Sequence, residues 1–324
     1  MPADIPIRAE QYLSPDTLAQ LAPFELRAKM VVEGVRSGPH RSPYSGTAVE
    51  FAEHRQYAPG DELRHLDWKV FGRTDKLYVK QHRLETNLDT VLLVDSSASM
   101  AYGSLPVKRG WGGTRPGRAG LRWTKFDHAA ALAVALAYLC LRQRDRVGLI
   151  LFADEVSRVI PRASAAHQWR RIVSALSTCP VQAPTNLAAA VRRAAREIPN
   201  RALFIILSDL FDDSAAVCRA LSRLRYLRHD VILLNILDRR EMRFDLAGPA
   251  AFEGMEGEGR LRVDPAALRD AYLASLHAHL DAIAAAARSL AFDYCRVDTH
   301  DSVAPPLAHV LAQRSAFLRR RKLA

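Results

Sequence analysis

The run Thr90-Val-Leu-Leu-Val-Asp-Ser-Ser-Ala-Ser-Met100 decides how this chain folds. Its first half is β-branched and aliphatic with no polar alternation, the pattern of a strand buried on both faces of a parallel sheet. Its second half turns abruptly polar. An Asp at the end of such a strand, with hydroxyls behind it, sits at the carboxyl edge of the sheet. Open α/β sheets bind their ligands at that edge.

Working outward, similar apolar runs recur at Val147–Phe152, Leu203–Leu207, Val231–Ile236 and Phe292–Val297, and Val156–Ile160 reads as an edge strand after a turn at Asp154-Glu155. Helical patterns alternate with them. Phe126–Leu141 is apolar nearly all round, while His167–Thr178, Asn186–Ile198 and Ala216–Leu227 are amphipathic. Pro265–Leu290 opens at an Asp264-Pro265 cap signal, and Leu307–Leu318 closes the chain. This alternation predicts an α/β fold: a doubly wound, mostly parallel six-stranded sheet over residues 89–324. Upstream, residues 1–33 read as a helical segment, with an amphipathic pattern across 12–36. Residues 34–88 read as a mixed segment packed on the main domain, with a loop at Ser37–Thr47 and a short strand at Leu77-Tyr-Val79.

The chain has 324 residues, 49% hydrophobic and 25% charged, which excludes whole-chain disorder, collagen and coiled coil. Lys and Arg outnumber Asp and Glu by 46 to 35, a formal charge of +11. Cys140, Cys179, Cys218 and Cys295 form no CxxC pair and are expected as free thiols. The N-terminus has no basic-then-apolar leader. The most apolar stretch, Ala129–Leu141, falls short of the roughly 20 residues that span a bilayer. A cytoplasmic protein without a transmembrane segment is the expectation.

Asp95, Ser97 and Ser99 have the form D-x-S-x-S. Two later loops add oxygen donors. Thr185 lies just before a helix, and Asp209 follows the strand expected beside the first. One carboxylate with neutral hydroxyls suits a hard cation such as Mg²⁺, with Mn²⁺ or Ca²⁺ as substitutes. So few protein charges leave the ion electrophilic, and a partner's carboxylate can complete its shell. The structural alternative is that Asp95 and the serines cap a turn and a helix.

In order and placement, these five residues resemble the metal-ion-dependent adhesion site of von Willebrand factor A-type domains. A second resemblance lies upstream, in Gly38-Pro-His40-Arg-Ser42, Gly46-Thr-Ala-Val-Glu-Phe51, Arg55-Gln-Tyr57-Ala-Pro-Gly-Asp61, Arg64-His-Leu-Asp67-Trp68-Lys69 and Leu77-Tyr-Val-Lys80. This is similar to the signature of the bacterial and archaeal family called domain of unknown function 58. In that family the segment precedes a von Willebrand A-type domain. The resemblance implies a non-enzymatic, metal-dependent interaction module. It would act as an adaptor to a MoxR-type AAA+ ATPase in chaperone-like maturation of a client, with no small-molecule substrate. Many relatives carry two N-terminal transmembrane helices, which this sequence lacks. The residues of the upstream segment also have a structural reading. Arg55, Asp61, Arg64 and Asp67 can pair around the Pro59-Gly60 turn, with Trp68 and Phe71 in the core.

Two other functions compete. Lys108, Arg109, Arg115, Arg118, Arg122 and Lys125, with Trp111 and Trp123, could make the 103–125 loop a nucleic-acid surface. Solvated surface charge accounts for them better than a nucleic-acid surface does. A Mg²⁺-dependent phosphoester hydrolase is the other reading. Ser97 stands where a second Asp would serve a phosphoryl-accepting Asp95. A serine nucleophile would need His40, His65 or His128 as base. No G-x-S-x-G elbow and no phosphate-binding glycine loop follows a strand.

Overall fold

A computed structural model describes residues 49–57, 66–84, 88–106, 122–165, 167–246, 248, 250–257, 259–303 and 305–313. They fall into two compact units, one within Gly38–Asn87 and one from Leu88 onward. In the smaller unit, β1 (Val49–Gln56) pairs antiparallel with β2 (Tyr78–Leu84), and α1 (Trp68–Thr74) lies between them in sequence.

The larger unit is built on β3 (Asp89–Asp95), β4 (Arg146–Phe152), β5 (Val156–Ala163), β6 (Leu203–Ser208), β7 (Asp230–Leu237) and β10 (Asp293–Asp298). Their order is β10-β7-β6-β3-β4-β5, parallel except for β5. This is the doubly wound, mostly parallel six-stranded sheet expected of the region. β3 is central and buried on both faces, which is why its sequence shows no alternation. Packing separates its neighbours by parity. Leu92 and Val94 face one core, with α2 (Lys125–Arg142), α3 (His167–Thr178) and the helical turns of 305–313. Val91 and Leu93 face the other, with α4 (Leu187–Glu197), α5 (Ser214–Tyr226) and the end of α7 (Pro265–Ser289). α2 contacts the sheet and α3 together, so its apolar residues wrap it nearly all round.

The chain runs from β3 outward through β4 to β5, then returns across the sheet to β6 on the other side of β3. The loops after β3 and β6 therefore diverge and leave a crevice between them, as switch points in strand order do. Above that crevice come α6 (Arg239–Arg243) and a hairpin absent from the sequence reading. It is formed by β8 (Ala250–Glu253) and β9 (Arg260–Val263). Gly257 and Gly259 turn it with φ of 98° and 91°.

Three expectations are corrected. Trp68 is 63% exposed rather than core: it opens a helix of seven residues, and its ring meets that of Phe71 edge-on with centroids 6.1 Å apart. Trp123 packs against the α2 core and donates its Nε1–H to His128 Nδ1 at 3.3 Å. Lys125 is fully buried. Lys125 therefore cannot join a solvent-facing basic surface, and Trp123 is half-buried against the core. The thiols are free as expected, Cys140 and Cys179 buried and the other two half-buried. Among the described residues, no helix is long and apolar enough to cross a membrane.

Candidate metal centre

Asp95 ends β3 with no exposed surface. The chain behind it is folded back by its own side chains. Ser96 gives both its N–H and its hydroxyl to the Phe152 carbonyl, tying the loop to the end of β4. Ser97 N–H donates to Asp95 Oδ1 at 2.9 Å. A short 3₁₀ turn over Ala98–Ala101 follows and sets Ser97 Oγ 3.2 Å from Ser99 Oγ. The next loop is stitched to this one by Ala98 N–H on the Ala183 carbonyl and Gln182 N–H on the Ser96 carbonyl. Ala183 reaches that position with φ of 71°, a strained conformation for a residue with a Cβ. Thr185 thereby comes to Asp95, its Oγ1 donating to Oδ2 at 3.1 Å. Ser208, the last residue of β6, donates to the same oxygen at 2.5 Å.

The structure thus gathers Asp95, Ser97, Ser99 and Thr185. Asp209 follows Ser208 at the end of β6, as expected, but its carboxylate is shared elsewhere. Its Oδ1 accepts from Phe211 N–H at 3.2 Å and its Oδ2 from Lys125 Nζ at 2.8 Å. Lys125 also donates to Glu241 Oε1 at 2.7 Å and lies 4.8 Å from the Phe211 ring centroid. Burial alone would lower the Lys125 ammonium, but Asp209 and Glu241 outweigh it and hold it above its ordinary value. Burial raises Glu241, and Lys125 offsets only part of that.

Asp95 has hydroxyls and one amide around it instead. Burial, and then the Asp209 charge, push its carboxyl up to about 7, against hydrogen bonds from Ser208 and Ser97 that favour the ionised form. A site that penalises its own ionised carboxylate favours an added cation. The donor set fits a hard divalent ion. It is all oxygen and mostly neutral, and it comes from two separate loops. Among the described residues, no three His, Cys, Asp or Glu side chains gather into a ready-made metal cage. Any ion here would therefore rest on hydroxyls as much as on charge.

Glu256, at the tip of the hairpin, lies over this cluster. Its Oε1 accepts from Ser99 N–H at 3.3 Å and its Oε2 from Thr185 N–H at 3.1 Å. Beside it opens a cavity of about 570 Å³, lined by Tyr102, Phe211, Met255, Tyr272, Leu276 and His279 among others.

In the upstream segment, His40, Ser42, Asp61 and Arg64 lie outside the described residues, as does the Arg55 side chain. Tyr57 N–H donates to the Leu77 carbonyl at 2.9 Å. Asp67 is buried and accepts from Val70 N–H at 3.3 Å, capping α1. Most of the Arg-rich loop, residues 107–121, is likewise outside the described set.

Of the histidines weighed as bases, His128 turns its Nδ1 to Trp123, and His40 and His65 lie outside the described residues. A serine–histidine contact does occur elsewhere, between Ser104 Oγ and His300 Nε2 at 3.3 Å. Ser104 Oγ, however, donates to Asp238 Oδ1 at 2.5 Å, and Thr299 donates to Oδ2 of that carboxylate. This cluster straps the loop after β3 to the ends of β7 and β10.

Residues 53–282 match the family described as protein of unknown function DUF58. The chain belongs to this family. Two mycobacterial members, uncharacterized protein Rv1480 of Mycobacterium tuberculosis and uncharacterized protein Mb1516 of Mycobacterium bovis, are each 30% identical over 273 residues, covering 82% of this chain and 79% of their own. Among solved structures, conserved hypothetical protein BatB from Bacteroides thetaiotaomicron aligns with 17% identity and a TM-score of 0.45, over 71% of this chain and 99% of that one. The SpRpn10 VWA domain aligns with 13% identity and a TM-score of 0.39, over 68% and 94%.

In this DUF58 chain, sequence reasoning missed Lys125, Ser208, Glu241 and Glu256. A signal existed for two of them. Thr124-x-x-Asp127 is a capping box that places Lys125 at the first turn of α2 rather than in a loop. Gly254, Gly257 and Gly259 between Ala250–Glu253 and Arg260–Val263 are hairpin punctuation around Glu256.

Proposed function

We propose that this protein is a cation-dependent docking adaptor. Asp95, Ser97, Ser99 and Thr185 hold Mg²⁺, or Mn²⁺ or Ca²⁺ in its place. Asp209 closes the site from the β6 side while sharing its charge with Lys125. The cation supplies an electrophilic position for a carboxylate on a partner protein. The family resemblance suggests that the partner is a MoxR-type AAA+ ATPase or that ATPase's client.

The observation that carries this reading is the convergence on Asp95 of hydroxyls from separate loops, with Thr185 Oγ1 at 3.1 Å and Ser208 Oγ at 2.5 Å. The charge supports it too. Asp95, Asp209, Glu241 and Glu256 bring four carboxylates to the strand ends, two of them paired with the ammonium of Lys125. A hydrolytic reading would need a nucleophile with its proton directed to a strong base. Ser104 directs its proton to Asp238, a carboxylate that, against the effect of burial, is held below its ordinary value by hydrogen bonds from Ser104, Arg240 and Thr299.

The test has two parts. Calorimetric titration with Mg²⁺ should show one site, lost in Asp95→Ala. Co-precipitation with a MoxR-type ATPase should depend on Mg²⁺ and fail with EDTA or Asp95→Ala. Binding of the ATPase that is indifferent to both treatments overturns the cation-dependent reading.

A further inference from the structure

Glu256 joins two loops that are otherwise far apart in the chain, accepting from Ser99 N–H, 157 residues away, and from Thr185 N–H, 71 residues away. Ser99 and Thr185 are also two of the hydroxyl residues gathered around Asp95. Both contacts, at 3.3 and 3.1 Å, are longer than the usual charge-assisted hydrogen bond and so readily exchanged.

The hairpin that carries Glu256 is slight. Among the described residues its two four-residue strands pair with each other alone, and β9 is exposed along nearly all its length. An isolated two-stranded hairpin is marginal in water. Its base is held by Phe252 stacked on Phe244, which stacks in turn on Tyr272. Its tip is held by Glu256. Met255, next in the turn, is 44% exposed and borders the 570 Å³ cavity. The tip therefore presents a thioether to an aromatic-lined cavity and a carboxylate to two amides.

We propose that Glu256 stands in for the acidic residue of a partner. The ligand is a protein segment with an Asp or Glu beside an apolar side chain, and it binds by displacing the hairpin tip. Its carboxylate takes the amides of Ser99 and Thr185, and its apolar neighbour enters the cavity beside Tyr102, Phe211 and Tyr272. Met255-Glu256 shows the chemistry the site accepts. The free protein is thereby partly closed by its own chain. The proposal rests on the docking reading above but not on the cation, since the two amides recognise a carboxylate with or without one.

The probe is a fluorescein-labelled synthetic peptide of this chain's residues 250–263, together with the same peptide carrying Glu256→Gln. Each is titrated by fluorescence polarisation against the full chain and its Glu256→Gln variant, in Mg²⁺ and in EDTA. Removing the internal competitor should tighten binding of the unaltered peptide at least tenfold in Mg²⁺. The Gln peptide should show no such gain. A gain that persists in EDTA also supports the proposal, with the amides as sole receptor. Equal binding by wild type and variant, or equal binding of both peptides, overturns it. Amide exchange guards against misfolding. In Glu256→Gln the hairpin should exchange faster while β3 and β6 stay protected, and an unchanged hairpin also counts against the proposal. Should Glu256→Gln disturb β3 or β6, Glu256→Ala replaces it under the same criteria. Mg²⁺ titration of the wild type is scored separately, so normal Mg²⁺ binding with no peptide gain removes this inference and leaves the docking adaptor standing.

Discussion

Lys125 and Asp209 form an ion pair with no exposure on either side chain, Nζ to Oδ2 at 2.8 Å. Glu241 makes the pair a triad, at 2.7 Å from the same ammonium. A lysine at the first turn of a helix faces the positive end of the helix dipole, so these carboxylates, not the helix, keep it there. Removing one member of a buried triad strands the others without compensation. Lys125→Met should cost about 3 to 5 kcal/mol in a urea titration. Adding Asp209→Asn and Glu241→Gln should recover most of that. A loss under about 1 kcal/mol for the single variant would show that water reaches the two carboxylates.

Asp95 sets the pH response. Its folded carboxyl is raised to about 7 from an ordinary 3.8, chiefly by burial. Between those values the folded state holds a proton that the unfolded state has lost. Stability without metal is therefore fully present below the lower value and declines as pH rises through the upper one. Melting curves in EDTA should show wild type losing ground to Asp95→Asn as pH climbs from 4 to 8. A divalent cation favours the ionised carboxylate, so Mg²⁺ should raise the wild-type melting temperature more at pH 8 than at pH 5. Parallel pH profiles for the two proteins would mean that Asp95 ionises freely.

Backbone crowding distinguishes two glycines. A Cβ on Gly103 would overlap the Trp123 carbonyl oxygen, and it would also come within 2.8 Å of Thr124 Cα. That close approach accompanies the Leu105–Trp123 bridge that delivers Thr124 and Lys125 to the start of α2. Gly103→Ala must push the two segments apart, costing about 1 to 3 kcal/mol. Gly72 lies in α1, where nothing approaches the added Cβ within 4 Å. Gly72→Ala should stabilise by about 0.5 to 1 kcal/mol. Urea midpoints that move the same way for both would refute the contrast.

What the sequence made legible follows from how far each interaction reaches along the chain. β3, β4, β6 and β7 are buried on both faces, so their aliphatic runs announce them. Asp95, Ser97 and Ser99 interact within four residues of one another, and a local motif can carry that. Lys125 follows a run of basic residues and resembles one more solvated charge. Its partners, Asp209 and Glu241, lie 84 and 116 residues downstream. Glu256 sits in a Gly- and Glu-rich stretch whose composition suggests a loop, and nothing local marks it as facing Thr185. Trp68 misleads in the opposite direction. An aromatic residue is expected inside, but a seven-residue helix leaves it at the surface.

Ser208 offers the last test, because it separates the acidity of Asp95 from the shape of the site. Its hydroxyl donates to Asp95 Oδ2 at 2.5 Å and accepts from Leu210 N–H at 2.9 Å. Leu210 has φ of 58°, so that hydrogen bond also helps hold a strained turn. Ser208 is among the groups that favour ionised Asp95, and its loss should raise that carboxyl further. A cation must then compete with a more tightly held proton. In calorimetric titrations, Ser208→Ala should weaken Mg²⁺ binding several-fold at pH 7. At pH 9, further into the range that ionises Asp95, the two affinities should draw together. Equal weakening at both pH values would assign Ser208 to holding the turn. No weakening at either would mean that Asp95 does not take part in holding the cation.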